Sequence, residues 1–273
     1  MIALGKLKKN CNFFMSTLLE KLKFDQFEKF PELTHAVSPR CFKNDQGEIE
    51  EFSFQSNDQT GKSDSHLNLF LKSLGIENQN LFCVNQVHGD NIFLLDDPDL
   101  TFNEVRKISA DALLTHIPGN PIGIFTADCL PVLVYDPRLK VIGAIHSGRR
   151  GSAQSIVLKV VREMGRVYGS RPAELVMGIG PAIGGCCYEV GEDCIQPFKD
   201  LYPYEKGLFE VGLKGNYFLD LIAVNKVEGI KAGLLSENIF SMDHCTCCSS
   251  RNLFSYRREG KTGRILTTIM LLP

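Results

Sequence analysis

"TADCLPVLVYDPRLKVIGAIHSGRRG", residues 126–151, holds two apolar runs separated by Asp136-Pro137-Arg138, with Cys129 ahead of the first and His146 near the end of the second. Short apolar runs bounded by turn residues read as strands, so the stretch predicts a β-hairpin. A two-residue loop at Pro137-Arg138 sets Cys129 directly opposite His146, and a three-residue loop sets the pair one residue out of register. Directly opposed side chains share a face with Cβ atoms ~5 Å apart. In either register the two are within reach of one small ion, at ~2.3 Å for Zn–S and ~2.1 Å for Zn–N. The pair therefore admits three readings: ordinary core residues, a thiol nucleophile with its base, or two ligands of one metal. The nucleophile reading takes Asp128 as the orienting carboxylate, yet on a strand a residue adjacent to Cys129 points to the opposite face.

A metal requires a third ligand, and His88 in "NQVHGD" is the first choice because it precedes a Gly turn at the end of an apolar run. His35 and His244 compete with it, while His66 and His116 lie in polar stretches and read as solvated. Two histidines and one cysteine leave one position open, the arrangement of a catalytic rather than a closed structural zinc.

The flanking chain places this hairpin in a larger fold. At 273 residues, 44% hydrophobic and 23% charged, the chain can bury a sizeable core. A net charge of -2 builds no broad basic surface, which argues against nucleic acid and membrane surfaces as partners. The N-terminus lacks the pattern of a signal peptide, and no run approaches the ~18 apolar residues of a membrane span. A cytoplasmic location is expected, with the ten cysteines mainly reduced thiols. Met15 is an alternative start, and residues 1–24 read as an extension ahead of a single domain at 25–273.

"LNLFLKSLGI" and "SAQSIVLKVVREMGRVYG" have helical spacing and end at Gly75 and Gly169. Strands are expected at "EEFSF", at "LFCVNQVHGDNIFLL" on both sides of Gly89-Asp90, and at "SADALLTH", "NPIGIFTAD", "ELVMGIG" and "GRILTTIMLLP". "NYFLDLIAVNKVEGIKAGL" reads as a strand start or a helix. Hairpin-like grouping of strands argues for an α+β fold with mixed, hairpin-rich sheets. "GIGPAIGG" is a turn of close backbone approach rather than a dinucleotide fingerprint, since Pro181 falls where a helix would open. Cys245 and Cys248 form one C-x-x-C pair, but Cys186-Cys187 lacks the spacing of a second, so packed thiols are expected there. Arg149 and Arg150 follow His146 in a Gly-flanked turn that opens a helix, a setting that favours anions, and Arg257-Arg258 share the same ambiguity between anion binding and solvation.

In order, "NQVHGD", "TADCLPVLVYD", "GAIHSGRRG", "GPAIGGCCYEVG" and "CTCCSSRNLFSYRREGKTGR" resemble the motifs of the laccase-domain family, formerly labelled multicopper polyphenol oxidases. The resemblance spans about residues 25–273. It implies a single α-β-β-α sandwich and a zinc-dependent enzyme that phosphorolyses purine nucleosides (adenosine, inosine, guanosine, methylthioadenosine) and deaminates adenosine. Transferred motif by motif, it implies one catalytic zinc on His88, Cys129 and His146. "HAVSPR" is similar to the family's "HGFSTR" and assigns Arg40 to phosphate or ribose, "ADA" supplies Asp111 to the catalytic set, and Arg150 joins Arg40 on phosphate. The chain departs from the family at Arg149, where a Trp is usual, and in the loop after Arg40. A monomer or small homo-oligomer is expected. The alternatives are a copper-dependent phenol oxidase, which six scattered histidines with no H-x-H pair disfavour, a cysteine hydrolase using Cys129 and His146, and a non-enzymatic binding module.

Overall fold

The runs on either side of Pro137 are buried at every position because both faces of their sheet are covered. The computed structural model describes residues 21–44, 46–54, 61–76, 80–249 and 253–273. Its strands are β1 (Leu33–Val37), β2 (Cys41–Lys43), β3 (Ile49–Glu51), β4 (Ile92–Leu94), β5 (Ala112–Thr115), β6 (Ile122–Thr126), β7 (Leu130–Asp136), β8 (Val141–Ser147), β9 (Val176–Ile179), β10 (Glu189–Val190), β11 (Phe209–Val211), β12 (Tyr217–Leu219), β13 (Ile239–Ser241) and β14 (Ile265–Leu271). Its α-helices are α1 (Lys62–Lys72), α2 (Phe102–Val105), α3 (Arg149–Ala153), α4 (Ile156–Tyr168), α5 (Glu192–Leu201), α6 (Leu221–Lys231) and α7 (Tyr256–Glu259).

A six-stranded mixed sheet in the order β13-β9-β7-β8-β5-β4 forms the centre. Leu133, Tyr135, Ile142 and Ala144 on one of its faces join a core with Ile122, Ile124, Leu266 and Ile269 of the antiparallel β1-β14-β6 sheet. Phe70 and Leu71 of α1 belong to the same core. Val132, Val134 and Ile145 on the opposite face pack with Ile156, Val160, Val161 and Met164 of α4. Each fully buried side chain of this size contributes roughly 1.5–3 kcal/mol. The result is the expected mixed α/β single-domain architecture of stacked helices and sheets. A third core, with Ile195, Phe198, Leu219 and Val224, joins α5 and α6 to the small β10-β12-β11 sheet.

The hairpin register differs from both expected ones. Pro131 pairs with His146 and Leu130 with Ser147, because residues 137–140 form a four-residue loop. Asp136 dictates this loop: its Oδ1 accepts from the amides of Arg138 (2.9 Å) and Leu139 (3.0 Å), its carbonyl accepts from the Lys140 amide (2.9 Å), and Lys140 takes φ 55°. The change from the two-residue loop is two residues, so side-chain parity survives. Cys129 and His146 remain on one face as diagonal rather than direct neighbours.

Three other expectations are refined. The segment before His88 carries only isolated bridges, Phe82 to Ile122 and Asn85 to Ser109, instead of a strand. The Gln86 side chain takes the place of ladder bonds, accepting from the Phe125 amide (2.8 Å) and donating to its carbonyl (2.9 Å). The expected helix from Ser152 is broken at Gln154-Ser155, where Ser155 has φ 56°. Residues 216–234 contain both β12 and α6, separated by Asp220, whose carboxylate caps the helix by accepting from the Ala223 amide (3.0 Å). Leu22 already pairs with Val37 and Phe24 is buried, so the packed chain reaches back past residue 25, while Met15 lies outside the described residues. Among the described residues, no helix is long and apolar enough to cross a membrane.

Candidate metal centre and active site

β5 and β7 flank β8 and run antiparallel to it, so the starts of the outer two lie beside the end of the central one. Cys129 therefore precedes β7, Asp111 precedes β5, and His146 closes β8, all at one edge of the sheet. His88 arrives from the irregular segment with φ 61°, a left-handed conformation that costs energy in a non-glycine residue. Ligand atoms of His88, Cys129 and His146 lie within 4.8 Å of one another, as one bound ion requires. The two imidazoles meet edge to face at a centroid separation of 4.7 Å. His146 is buried and His88 exposed, so the cluster opens to solvent on one side.

Asp111 holds this arrangement from behind. Its carboxylate is fully buried and accepts from His146 Nδ1 (2.7 Å) and from the amides of His88 (2.9 Å), Gly89 (2.6 Å) and Val87 (3.3 Å). One side chain thus orients a candidate ligand and pins the loop carrying another. Taking the proton on His146 Nδ1 directs Nε2 toward Cys129, the second-sphere arrangement common behind metal-bound histidines. Burial opposes ionisation of Asp111, yet the bonds from His146 and Gly89 hold its carboxyl below the usual range.

The other two groups are tuned in opposite directions. Burial raises the Cys129 thiol, but His146 and His88 outweigh it and bring it down to about 6. Burial lowers His146, but Asp111 and Cys129 outweigh it and push it up to about 9. Without a metal the pair favours thiolate and imidazolium, and cation binding displaces that proton.

The glycines of "HSGRRG" leave room for the centre. A Cβ at Gly148 would stand 3.2 Å from Cys129 Sγ, 3.3 Å from His88 Cδ2 and 3.6 Å from His146 Cε1, touching all three candidate ligands. A Cβ at Gly151 would stand 2.9 Å from the Gly89 carbonyl, which packs the start of α3 against the His88 loop. The donor set, the carboxylate behind it and the cleared space together fit a single metal ion.

Other histidines have different roles. His35 accepts from the Phe24 amide at 2.9 Å inside the core, and burial lowers it to about 4. His66 is buried rather than solvated, between Phe42 and Phe52, and accepts from the Ser53 amide at 3.0 Å. His116 is exposed beside Asp96, and His244 lies outside the cluster of three. Asp128 does not orient His146: its oxygens accept from Thr246 Oγ1 (2.5 Å) and the Arg257 amide (2.6 Å).

Arg40 is buried between Glu51 (2.7 Å) and Glu259 (2.6 Å), its guanidinium 4.9 Å from the Phe254 ring centre. Arg150 lies exposed in α3, and Arg149, in the same turn, is half-buried. Tyr188 is a residue that no local pattern singled out. Burial raises its hydroxyl above the ordinary value, Arg149 and Cys129 act on it in opposite senses, and the Arg257 guanidinium sits 5.3 Å from its ring centre. A second group, the four thiols of Cys186, Cys187, Cys245 and Cys248, also converges within 4.8 Å, which local spacing had not suggested.

The sequence profile of the family described as multi-copper polyphenol oxidoreductase laccase matches residues 35–272. The chain belongs to this family. Curated relatives include a purine nucleoside phosphorylase of Bacteroides thetaiotaomicron, 30% identical over 92% of this chain and 96% of the relative. Another is adenosine deaminase RL5 of an unknown prokaryotic organism, 31% identical over 76% and 80%. Among solved structures, the Bacillus licheniformis hypothetical protein YfiH superposes with a TM-score of 0.83 at 27% identity, covering 96% of this chain and 99% of that one. YlmD from Geobacillus stearothermophilus gives a TM-score of 0.80 at 25% identity, with 89% and 93% covered. The family's members thus include proteins named for purine nucleoside processing.

Proposed function

We propose that this protein is a zinc-dependent enzyme that splits purine nucleosides with phosphate and also deaminates adenosine. The observation that carries the reading is the convergence of His88, Cys129 and His146 in front of the buried Asp111, in a chain whose relatives are named for these two activities. Zinc bound by these three residues would supply a Lewis acid with an open coordination position facing the exposed side. Asp111 is assigned a positioning role, holding the tautomer of His146 and the His88 loop.

In phosphorolysis a phosphate oxygen forms a bond to the ribose anomeric carbon, and the electrons of the N-glycosidic bond leave with the purine. Arg149 and Arg150 supply positive charge at the start of α3, next to His146. Arg40 is proposed to act on phosphate or ribose from within its Glu51–Glu259 clamp, which also keeps the guanidinium rigid. Tyr188, whose hydroxyl senses the charges of Arg149 and Cys129, offers a flat half-buried surface for the base.

A second reading, Cys129 as nucleophile with His146 as base and Asp111 as orienter, is favoured by the 2.7 Å bond between His146 and Asp111. In it His88 only helps to lower the Cys129 thiol, whereas the zinc reading uses all three as ligands. Metal analysis followed by incubation of inosine with phosphate separates the two. About one zinc at this site, release of hypoxanthine and ribose 1-phosphate, and loss of both with His88→Ala support the zinc enzyme. Copper in its place, or undiminished phosphorolysis in the metal-free protein, overturns it.

A further inference from the structure

The "GGCCY" and "HCTCC" segments lie on two turns that meet side by side. Ala182 and Cys245 form a parallel bridge, with the Thr246 amide donating to the Ala182 carbonyl (2.9 Å) and the Ala182 amide to that of His244 (3.3 Å). The first turn is closed by the amides of Cys187 and Tyr188 on the Gly184 carbonyl, each at 2.9 Å. In the second, the Ser249 amide donates to the Cys245 carbonyl at 2.9 Å. Four sulfurs then lie within 4.8 Å of one another, and Cys186 and Cys248 are 3.5 Å apart. A tetrahedron with Zn–S bonds of ~2.3 Å has edges of about 3.8 Å.

Two further features mark the cluster as built around sulfur. The Gly184 amide donates to Cys245 Sγ at 3.3 Å, a bond that favours a thiolate. A Cβ on Gly184 would stand 3.3 Å from Cys186 Sγ and 3.5 Å from Cys245 Cβ, so glycine at this position keeps the two turns close enough for their sulfurs to meet.

We propose that Cys186, Cys187, Cys245 and Cys248 bind a second zinc ion in a closed, all-sulfur structural site, distinct from the centre at His88, Cys129 and His146. Binding releases the four thiol protons and leaves a complex of net charge −2. Arg257 offsets part of that charge: its guanidinium donates to the carbonyl of Cys187 (3.2 Å), while Arg258, which donates to that of Cys247 (3.0 Å), also pairs with Glu259 (2.5 Å). All four thiols are free, with Cys186 and Cys248 at 3.5 Å rather than the ~2.05 Å of a disulfide. The site braces the neighbouring centre, because the same two segments grip Asp128, next to Cys129. The Ile183 amide donates to the Asp128 carbonyl (2.9 Å) and Thr246 Oγ1 to its carboxylate (2.5 Å).

The test separates the two sites by mutation. Under reducing conditions the wild-type chain should bind two zinc ions, the His88→Ala/His146→Ala chain one, and the Cys186→Ser/Cys248→Ser chain one. Cobalt bound to the His88→Ala/His146→Ala chain should show tetrahedral bands with the intense sulfur-to-metal charge transfer of several thiolates. Adding the two serine substitutions should abolish that signal. If the serine variant does not fold, zinc and cobalt titration of the histidine variant still decides the matter. Failure of the histidine variant to take up either metal would overturn the proposal, as would a Cys186–Cys248 disulfide in the freshly isolated reduced-buffer protein, or iron instead of zinc on the four sulfurs.

Discussion

Replacing Asp111 with asparagine tests the centre at the point where its parts depend on one another. The carboxylate presents two acceptor oxygens to four donors, His146 Nδ1 and the His88 amide on one oxygen, the Gly89 and Val87 amides on the other. Asparagine keeps one acceptor and turns the other position into a donor. If the new amide faces His146, the ring must move its proton to Nε2 and can no longer ligate through that atom. If it faces Gly89, a short amide bond becomes donor against donor and the His88 loop is released. An orphaned buried donor costs about 1–3 kcal/mol. Loss of a carboxylate behind a metal-bound histidine typically lowers affinity about 10–100-fold, or roughly 1.4–2.7 kcal/mol. Competition for zinc against a chromophoric chelator, run on Asp111→Asn and wild type, measures the change directly. A dissociation constant within twofold of wild type would refute the positioning role and move Asp111 out of the site.

Gly148→Ala should fold normally but lose at least tenfold in metal affinity, since its Cβ meets all three ligands at 3.2–3.6 Å; unchanged affinity by the same competition assay would show that the space is not needed. Native zinc-loaded protein should resist iodoacetamide at Cys129, and chelation should expose it to alkylation seen by peptide mass spectrometry; rapid labelling with zinc retained favours the nucleophile reading. Arg40→Ala should raise KM for phosphate without metal loss, whereas unchanged kinetics would confine Arg40 to its ion-pair clamp. Glu228 of α6, buried against the start of α4, is pushed up to about 8 by burial, against bonds from Tyr202 and the Val157 amide. Because the folded value lies above the unfolded one, its stability contribution is full below about pH 4.5 and is lost as pH rises through about 8, by at most about 5 kcal/mol. Glu228→Gln should therefore flatten the fall in stability between those values, and urea unfolding that shows the same slope as wild type would contradict this.

The hairpin is legible because its runs are apolar on both faces, and parity keeps Cys129 beside His146 although the loop is two residues longer than the tightest turn. The register was not legible: it depends on Asp136 capturing two amides, a choice that competes with tighter turns at similar cost. Likewise "LFCVNQV" has a strand's composition, but Gln86 satisfies Phe125 through its side chain and removes the need for a ladder. His66 reads as polar surface in its neighbourhood of serines and acids, whereas aromatic packing from Phe42 and Phe52 buries it. The four-thiol cluster joins positions about sixty residues apart through one bridge at Ala182, and no local spacing reports such a contact. Asp111 was found by its motif, but its task behind His146 follows only from β5 lying against β8.

The unequal origin of the three ligands has a kinetic consequence. Cys129 and His146 are spaced by the sheet, while His88 hangs on a segment whose amides terminate on Asp111. Ion release can therefore proceed by that single arm swinging out, with the sheet-borne pair left in place. The amides of His88 and Gly89 then become natural reporters, slow to exchange their hydrogens when the ion is bound and fast when it has gone. Their exchange rates would read the metal's off-rate from the backbone of the arm that carries one of its ligands.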